Sequence, residues 1–328
     1  MTIGSTNKLI CALQRNSPNL FFSLVDYRNN LFTSNDPKKI MEFYDSFENR
    51  DELIEWMKER PKGASYIHEV EGEKDIIVVI PTADFNGKYA KECRENIFKG
   101  LHMIFVESGG KGDFYFNIAH NYNVGIRKAM EYNPRWIVLS NDDMYKIDDV
   151  DVLVKELGKL NPEKIDCAFT GESHYHSCLV HLGQPRMYNN ILREIFKHRE
   201  VKFEDKIFEK YEVKYYLVGF RNKFLRGLFY KDVFSFIITG DFAIFSSTFV
   251  KKNRNILFDE TYVNGLEDLH ISLIINLNHN YGFINYKIGD YVGSALGIAP
   301  SIFYPRAIRE IANEVYFNSV LDVMRKVF

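Results

Sequence analysis

An open α/β sheet is the fold this sequence predicts, on three observations. Apolar runs within "DIIVVIPT", "HMIFVESGG" and "RWIVLSNDD" lack polar alternation and read as strands covered on both faces. Segments of helical spacing separate them, so strand and helix alternate from residue 75 to about 160, with right-handed crossovers expected. Each run ends in a polar tip, "PTAD", "ESGG" or "SNDD", and ligands of such sheets gather beyond the carboxyl ends of the strands.

Residues 1–73 read as a helical preface. In "SNDPKKIMEFYDSF", Asp36 is placed to cap a helix with Pro37 at its first position; "NRDELIEWMKERPKG" spaces Leu53, Ile54 and Met57 on one face before Pro61 and Gly63 stop it. After the first strand a helix is expected through "YAKECRENIFKG", and after the second through "NVGIRKAMEY". Residues 184–232 form a basic, aromatic-rich insertion: either a helical appendage with its rings on the core, or a cationic lip that meets anionic head groups. "FSFIITGDFAIFSS" adds strands. The chain ends, over 301–328, in an amphipathic helix with Ile308, Ile311, Val315 and Phe317 among its apolar positions, expected to dock on the body.

Composition narrows the function. A net charge of -2 over 328 residues gives no electrostatic footprint for nucleic acid, so no nucleic-acid partner is expected. Four cysteines without CxxC pairing suit a reducing compartment. Without an apolar run long enough to span a bilayer or a signal-peptide pattern, a cytoplasmic location is expected, with peripheral membrane contact as the second reading.

The carboxylates carry the chemistry. Asp142 and Asp143 at a strand tip repel one another unless a cation neutralises them, and a hard divalent ion takes such oxygen ligands while leaving positions for substrate phosphates. The bland alternative is that one of them caps a helix running toward "DDVDVLVKEL". Glu267 and Asp268 in "LEDLHISL" read likewise as catalytic carboxylates or as the acidic first turn of a helix. "GESHYHSCLVH" brings His174, His176, Cys178 and His181 close in sequence, as a zinc site, an acceptor pocket or ordinary packing. "GGKG", residues 109–112, follows the second strand and not the first, so it does not fit a dinucleotide fingerprint.

Taken in order, "VVIPT", "VESGG", "NVGIRKA", "SNDDM", "ITGDFAIF" and "FDETYVNGLED" resemble the GT-A glycosyltransferases, of the inverting family 2 type, over residues 74–300. That resemblance implies a Rossmann-like open mixed sheet flanked by helices, here with a helical N-terminal extension. It implies a nucleoside-diphosphate sugar as donor, a glycan, protein or lipid-linked acceptor, and Mn²⁺ or Mg²⁺ as cofactor. Pro81, Thr82 and Asp84 would line the base pocket, Glu107 and Ser108 would meet the nucleoside, and Asn123 and Gly125 would lie near the sugar-nucleotide. Asn141, Asp142 and Asp143 would form the DxD-type motif, with Asp143 and Asp142 on the metal and Asn141 in place of the usual first Asp. Asp268 would be the general base, with Glu267 orienting it or binding an acceptor hydroxyl, and His270 a further contact. Where the family carries a metal-binding histidine near its C-terminus, "KIGDYVGSALG" has Asp290 or Tyr291. The alternatives are a non-catalytic sugar-nucleotide or glycan-binding protein on this scaffold and, more remotely, a nucleotidyltransferase, for which "PTADFNGKYA" has too few glycines and cations.

Overall fold

A computed structural model describes residues 18–108, 115–170, 179–183, 202–214, 216–220, 232–234, 238, 240–278, 280–291 and 300–327. Three helices come first: α1 (Pro18–Phe32), α2 (Pro37–Asp45) and α3 (Arg50–Glu59). The Asp36 carboxylate accepts from the Lys38 amide at 2.9 Å and Pro37 opens α2, as the sequence predicts. Asn49 caps α3 in the same way, through the Glu52 amide at 3.0 Å. The expected helical extension to residue 73 is corrected at its end, because β1 (Tyr66–Val70) is an edge strand antiparallel to the strand Leu101–Glu107. Its short alternation of exposure, with Tyr66 and Ile67 turned outward, suits the rim of a sheet.

The alternating region follows as β2 (Glu73–Thr82), α4 (Lys88–Glu92) widening into a π turn over Cys93–Ile97, β3 (Leu101–Glu107), α5 (Ile118–Met130), β4 (Trp136–Ser140), β5 (Met144–Lys146), α6 (Val150–Gly158) and β6 (Cys167–Phe169). Within the expected insertion the described elements are β7 (Leu179–Gly183) at its border, α7 (Lys202–Lys210), β8 (Tyr216–Phe220) and β9 (Asp232–Phe234). The remainder comprises β10 (Phe242–Ser246), α8 (Ser247–Lys252), α9 (Glu267–Asn278), β11 (Tyr281–Phe283), β12 (Ile288–Asp290) and α10 (Pro300–Val327).

A seven-stranded mixed sheet in the order β1-β3-β2-β4-β10-β6-β11, flanked by helices, organises the protein in a mixed α/β arrangement compatible with a Rossmann-like fold. β2 runs parallel to both β3 and β4, β10 is antiparallel to β4 and β6, and β11 is parallel to β6. From β2 the chain moves to β3 on one side and then crosses back to β4 on the other. That reversal opens a crevice above the tips of β2 and β4. β2 is buried on both faces: Ile77 and Val79 pack under α5 and α9, whereas Ile76, Val78 and Ile80 pack under the π turn and α6. This explains its unbroken apolar run.

α5 begins earlier than "NVGIRKAMEY" suggests. Asn117 caps it by accepting from the His120 amide at 2.9 Å, which adds more than a turn ahead of Asn123. The terminal helix docks as expected, burying Ile308, Ile311, Val315 and Phe317 against α1–α3 and α7. The Tyr44 hydroxyl enters its backbone ladder, donating to Ile308 O at 2.7 Å and accepting from Ala312 N at 3.0 Å. That insertion occurs one turn beyond Pro305, where the helix already lacks a backbone donor. Of the basic insertion, α7 supplies Ile207, Phe208 and the following Tyr211 to this helical core, and Lys210 Nζ donates to Tyr44 O at 2.8 Å; that helix thus packs on the body. No helix among the described residues is long and apolar enough to cross a membrane.

Candidate active site

The tip of β4 is tied to both neighbouring strands. Asn141 N donates to Asp241 O at 2.8 Å, joining it to the start of β10, and Thr82 Oγ1 donates to Asp142 Oδ2 at 2.6 Å, joining it to the end of β2. Cys93, in the π turn, sets its Sγ 3.3 Å from Asp142 O. Asp143 O accepts from Tyr291 N at 3.0 Å, next to the β5–β12 ribbon in which Asp290 pairs with Met144. "KIGDY" therefore does lie beside the carboxylate pair. The helix-cap alternative for Asp142 and Asp143 fails, because β5 intervenes and α6 starts at Val150 behind Asp149. Burial raises the Asp142 carboxyl above its ordinary range; the Thr82 hydroxyl opposes that and the Asp143 charge adds to it.

Tyr122 links the tip of β4 to the approach to β10. Its buried hydroxyl is shared between Asn141 Oδ1 and Gly240 O, each at 3.1 Å. Burial, then the charges of Asp241, Asp143, Asp142 and Glu267, push the phenol well above its usual value. It remains a proton donor among carboxylates. Neither Tyr122 nor Asp241 stands out in the sequence as a site residue: Tyr122 falls on the core face of a helix with Ile126 and Ala129, and its hydroxyl partners come from distant strand tips. Asp241 had a signal, since "TGD" before a buried strand mirrors "SNDD" after one.

Glu267 and Asp268 open α9, so the acidic first turn anticipated as the bland reading is present. It is not a solvated cap. Burial raises both carboxyls above the ordinary range, with the Asp268 charge adding to the shift of Glu267 and that of Asp241 adding to the shift of Asp268. Desolvation thus outweighs the favourable helix dipole. Asp268 accepts from Leu269 N at 2.8 Å and lies beside Gly240, where a Cβ would come within 3.9 Å of its Oδ2; this faces it toward the β10 tip. The turn that delivers the pair is strained, with Asn264 at φ 51° and Leu266 at φ 68°. Left-handed geometry at a leucine costs on the order of 1 kcal/mol or more. Asn313 secures this turn through Val263 N at 2.6 Å and Val263 O at 3.0 Å, and Asn264 through Ile118 N and Phe116 O.

The other expected residues divide. Pro81 and Thr82 end β2 at the crevice, and Asp84 is exposed just beyond, shaping the turn by accepting from Asn86 N at 2.9 Å. Glu107 ends β3 and pairs with His68 Nε2 at 2.6 Å, the His68 ring lying flat on Phe85 with centroids 4.3 Å apart. Ser108 N extends the ladder to Thr82 O, and its hydroxyl accepts from Asn121 Nδ2 at 2.6 Å. Asn123 and Gly125, expected near a sugar-nucleotide, are instead packing residues. Asn123 is fully buried, donates to Phe258 O and Glu260 Oε1, and accepts from Leu257 N and Phe258 N, latching the 257–260 loop to α5. Gly125 lies where α5 crosses β2 and β3. Half-buried His270, its Nδ1 3.3 Å from the Tyr262 hydroxyl, turns away toward that loop. His174, His176, Cys178 and the "GGKG" stretch lie outside the described residues, as does the side chain of His181.

Asp142 and Asp143 follow one another at the tip of β4 and supply carboxylate oxygens, a donor set suited to a hard divalent cation. Among the described residues no three His, Cys, Asp or Glu side chains converge on one point, so the pair would leave part of an ion's shell to water and substrate oxygens, as Mg²⁺ commonly has it. No protein-family model matches this chain, and no curated protein matches it in sequence.

Proposed function

We infer that this protein is a metal-dependent glycosyltransferase of the GT-A type, moving a sugar from a nucleoside-diphosphate donor to an acceptor hydroxyl with inversion. The observation that carries this reading is that the Tyr122 hydroxyl joins Asn141, at the strand tip that bears Asp142 and Asp143, to Gly240, beside which half-buried Asp268 opens α9. Asp143 and Asp142 would hold Mn²⁺ or Mg²⁺, which when bound supplies positive charge for the departing diphosphate. Asp268 would accept the proton of the acceptor hydroxyl while that oxygen bonds the anomeric carbon and the bond to the diphosphate breaks. A proton affinity above the ordinary carboxylate range brings Asp268 closer to the working pH of a general base. Glu267, kept neutral by burial, would orient it. The Tyr122 phenol holds Asn141 and Gly240 in place on either side.

Calorimetric titration with UDP, GDP and dTDP, each with and without Mn²⁺, tests the reading. One nucleotide should bind only with metal present, and Asp143→Ala should remove that metal dependence. No binding of any nucleotide, or equal binding without metal, would overturn it; metal-dependent binding without transfer to any hydroxyl acceptor would leave a sugar-nucleotide-binding protein.

A further inference from the structure

Beside the carboxylate pair stand three tyrosines whose rings the site described above does not use. Tyr291 follows β12 and gives its amide to Asp143 O at 3.0 Å; Tyr145 lies on β5, and Tyr89 lies in the first turn of α4, beyond the β2 tip. Their rings form one cluster with Tyr291 in the middle, its centroid 5.1 Å from that of Tyr145 and 6.1 Å from that of Tyr89. Tyr145 and Tyr291 are 39% and 48% exposed, whereas Tyr89 is half-buried with Lys88 Nζ 4.5 Å from the centre of its ring. Tyr89 therefore backs the cluster, and the other two present it to solvent.

The β5–β12 ribbon is shaped to seat one of these rings. Gly289 is the cross-strand partner of Tyr145, and a Cβ there would lie 2.2 Å from Tyr145 Cζ and 2.5 Å from its hydroxyl oxygen. Glycine lets the ring rest on the ribbon backbone, which fixes its place while the side chain stays exposed. Exposed aromatic surface held in this way marks an interaction site. None of the three hydroxyls has a hydrogen-bond partner among the described residues. An aliphatic chain laid over the cluster would cover those hydroxyls without bonding them, at a cost in free energy. Neighbouring rings are tilted by 53° and 44°, so they form steps and not the parallel slot that grips a planar base.

We propose that this cluster binds a pyranose chain, its sugars carrying equatorial hydroxyls, with their C–H faces on Tyr145 and Tyr291 and their hydroxyls bonded to the phenols. The proposal rests on the glycosyltransferase reading above and narrows its acceptor to a glycan. Axial C–H bonds give the face of such a sugar a weakly positive edge that suits the negative face of an aromatic ring, and the hydroxyls around its rim suit the polar tip of tyrosine. The bond from Tyr291 N to Asp143 O couples the cluster directly to the carboxylates that would hold the donor's metal.

Saturation-transfer NMR on the full chain with cellotetraose, a β-linked glucose chain, tests the proposal without metal or nucleotide. Transfer should reach a plateau at millimolar sugar and be strongest at the ring C–H protons. Tyr145→Ala, at an exposed position, should weaken binding at least about fivefold with the circular dichroism spectrum unchanged, and Tyr145→Phe, which keeps the ring, should fall between the two. Gly289→Ala, which drives the ring from its seat, should act as Tyr145→Ala does. No saturable transfer to cellotetraose, or undiminished binding by Tyr145→Ala, would overturn the proposal. So would displacement of the sugar by uridine, which would make the cluster a nucleoside seat, or binding to phosphatidylcholine vesicles that Tyr145→Ala abolishes, which would make it a membrane contact. Failure here leaves the calorimetric test of the donor site standing, whereas sugar binding in a chain that binds no nucleotide would sink the transferase reading and keep the glycan site.

Discussion

Gly125→Ala probes how tightly the helix that carries Tyr122 is set on the sheet. A methyl group at this position would lie 2.2 Å from Val79 Cγ1 and 3.0 Å from Val106 Cγ2, against an ordinary contact of 3.4 Å or more. Val79 cannot give way, because β2 is hydrogen-bonded to β3 and β4 on both edges and is buried on both faces. The helix must therefore rise by about an ångström, which separates Ile126 and Ala129 from the apolar face beneath them. Overpacking of this kind costs about 1–3 kcal/mol, with the upper end expected for so close an approach, while alanine returns about 1 kcal/mol in helix propensity. The net loss is about 2 kcal/mol. With an m-value of about 3 kcal/mol/M this lowers the urea midpoint by about 0.7 M, followed through the fluorescence of Trp136, which is buried in β4. The argument also fixes a second-site result. Val79→Ala removes the clashing methyl, so the double variant should be more stable than the sum of the two single losses by about 1–2 kcal/mol. Stabilisation by Gly125→Ala, or strict additivity in the double variant, would refute the close-packing account.

Three further outcomes follow from the site. Asn123→Ala strands the amides of Leu257 and Phe258 in the core and should cost about 2–4 kcal/mol, with the 257–260 loop losing amide-exchange protection before the sheet does; equal protection in loop and sheet would count against the latch. The raised Glu267 carboxyl gives a pH signature: its neutral form favours folding fully below the ordinary glutamate value near 4.5, and that contribution is lost as pH rises through the elevated folded value. Glu267→Gln, which cannot ionise, should flatten the decline in stability over that window, and an unchanged profile would place the charge cost elsewhere. Asp268→Asn should leave donor affinity nearly intact and lower transfer about 10²–10⁴-fold; turnover near that of the parent would remove Asp268 from the proton transfer.

What could be read from residues alone follows from local physics. Unbroken apolar runs announce doubly covered strands because burial on both faces leaves no place for polar alternation, and so β2, β3 and β4 were legible with their polar tips. Asp36 and Pro37 marked the start of α2 through capping chemistry confined to a few adjacent residues. The carboxylates of "SNDD" and "LEDL" were visible as candidates, but a cap and a ligand site are the same letters in sequence. Tertiary structure separated them: β5 lies between Asp143 and α6, so neither carboxylate caps that helix, and the burial of Glu267 beside half-buried Asp268 makes their helix start something other than a solvated one. Asn123 and Gly125 went the other way, from expected ligand contacts to packing, because only the crossing of α5 over Val79 and the approach of the 257–260 loop determine what those side chains meet. Tyr122 had no local signal, since its hydroxyl meets Asn141 and Gly240, 19 and 118 residues away in the chain. Strand, cap and tip depend on neighbours along the chain and are written in it; burial, partner and cavity depend on neighbours through space and are decided only when the sheet and its helices close.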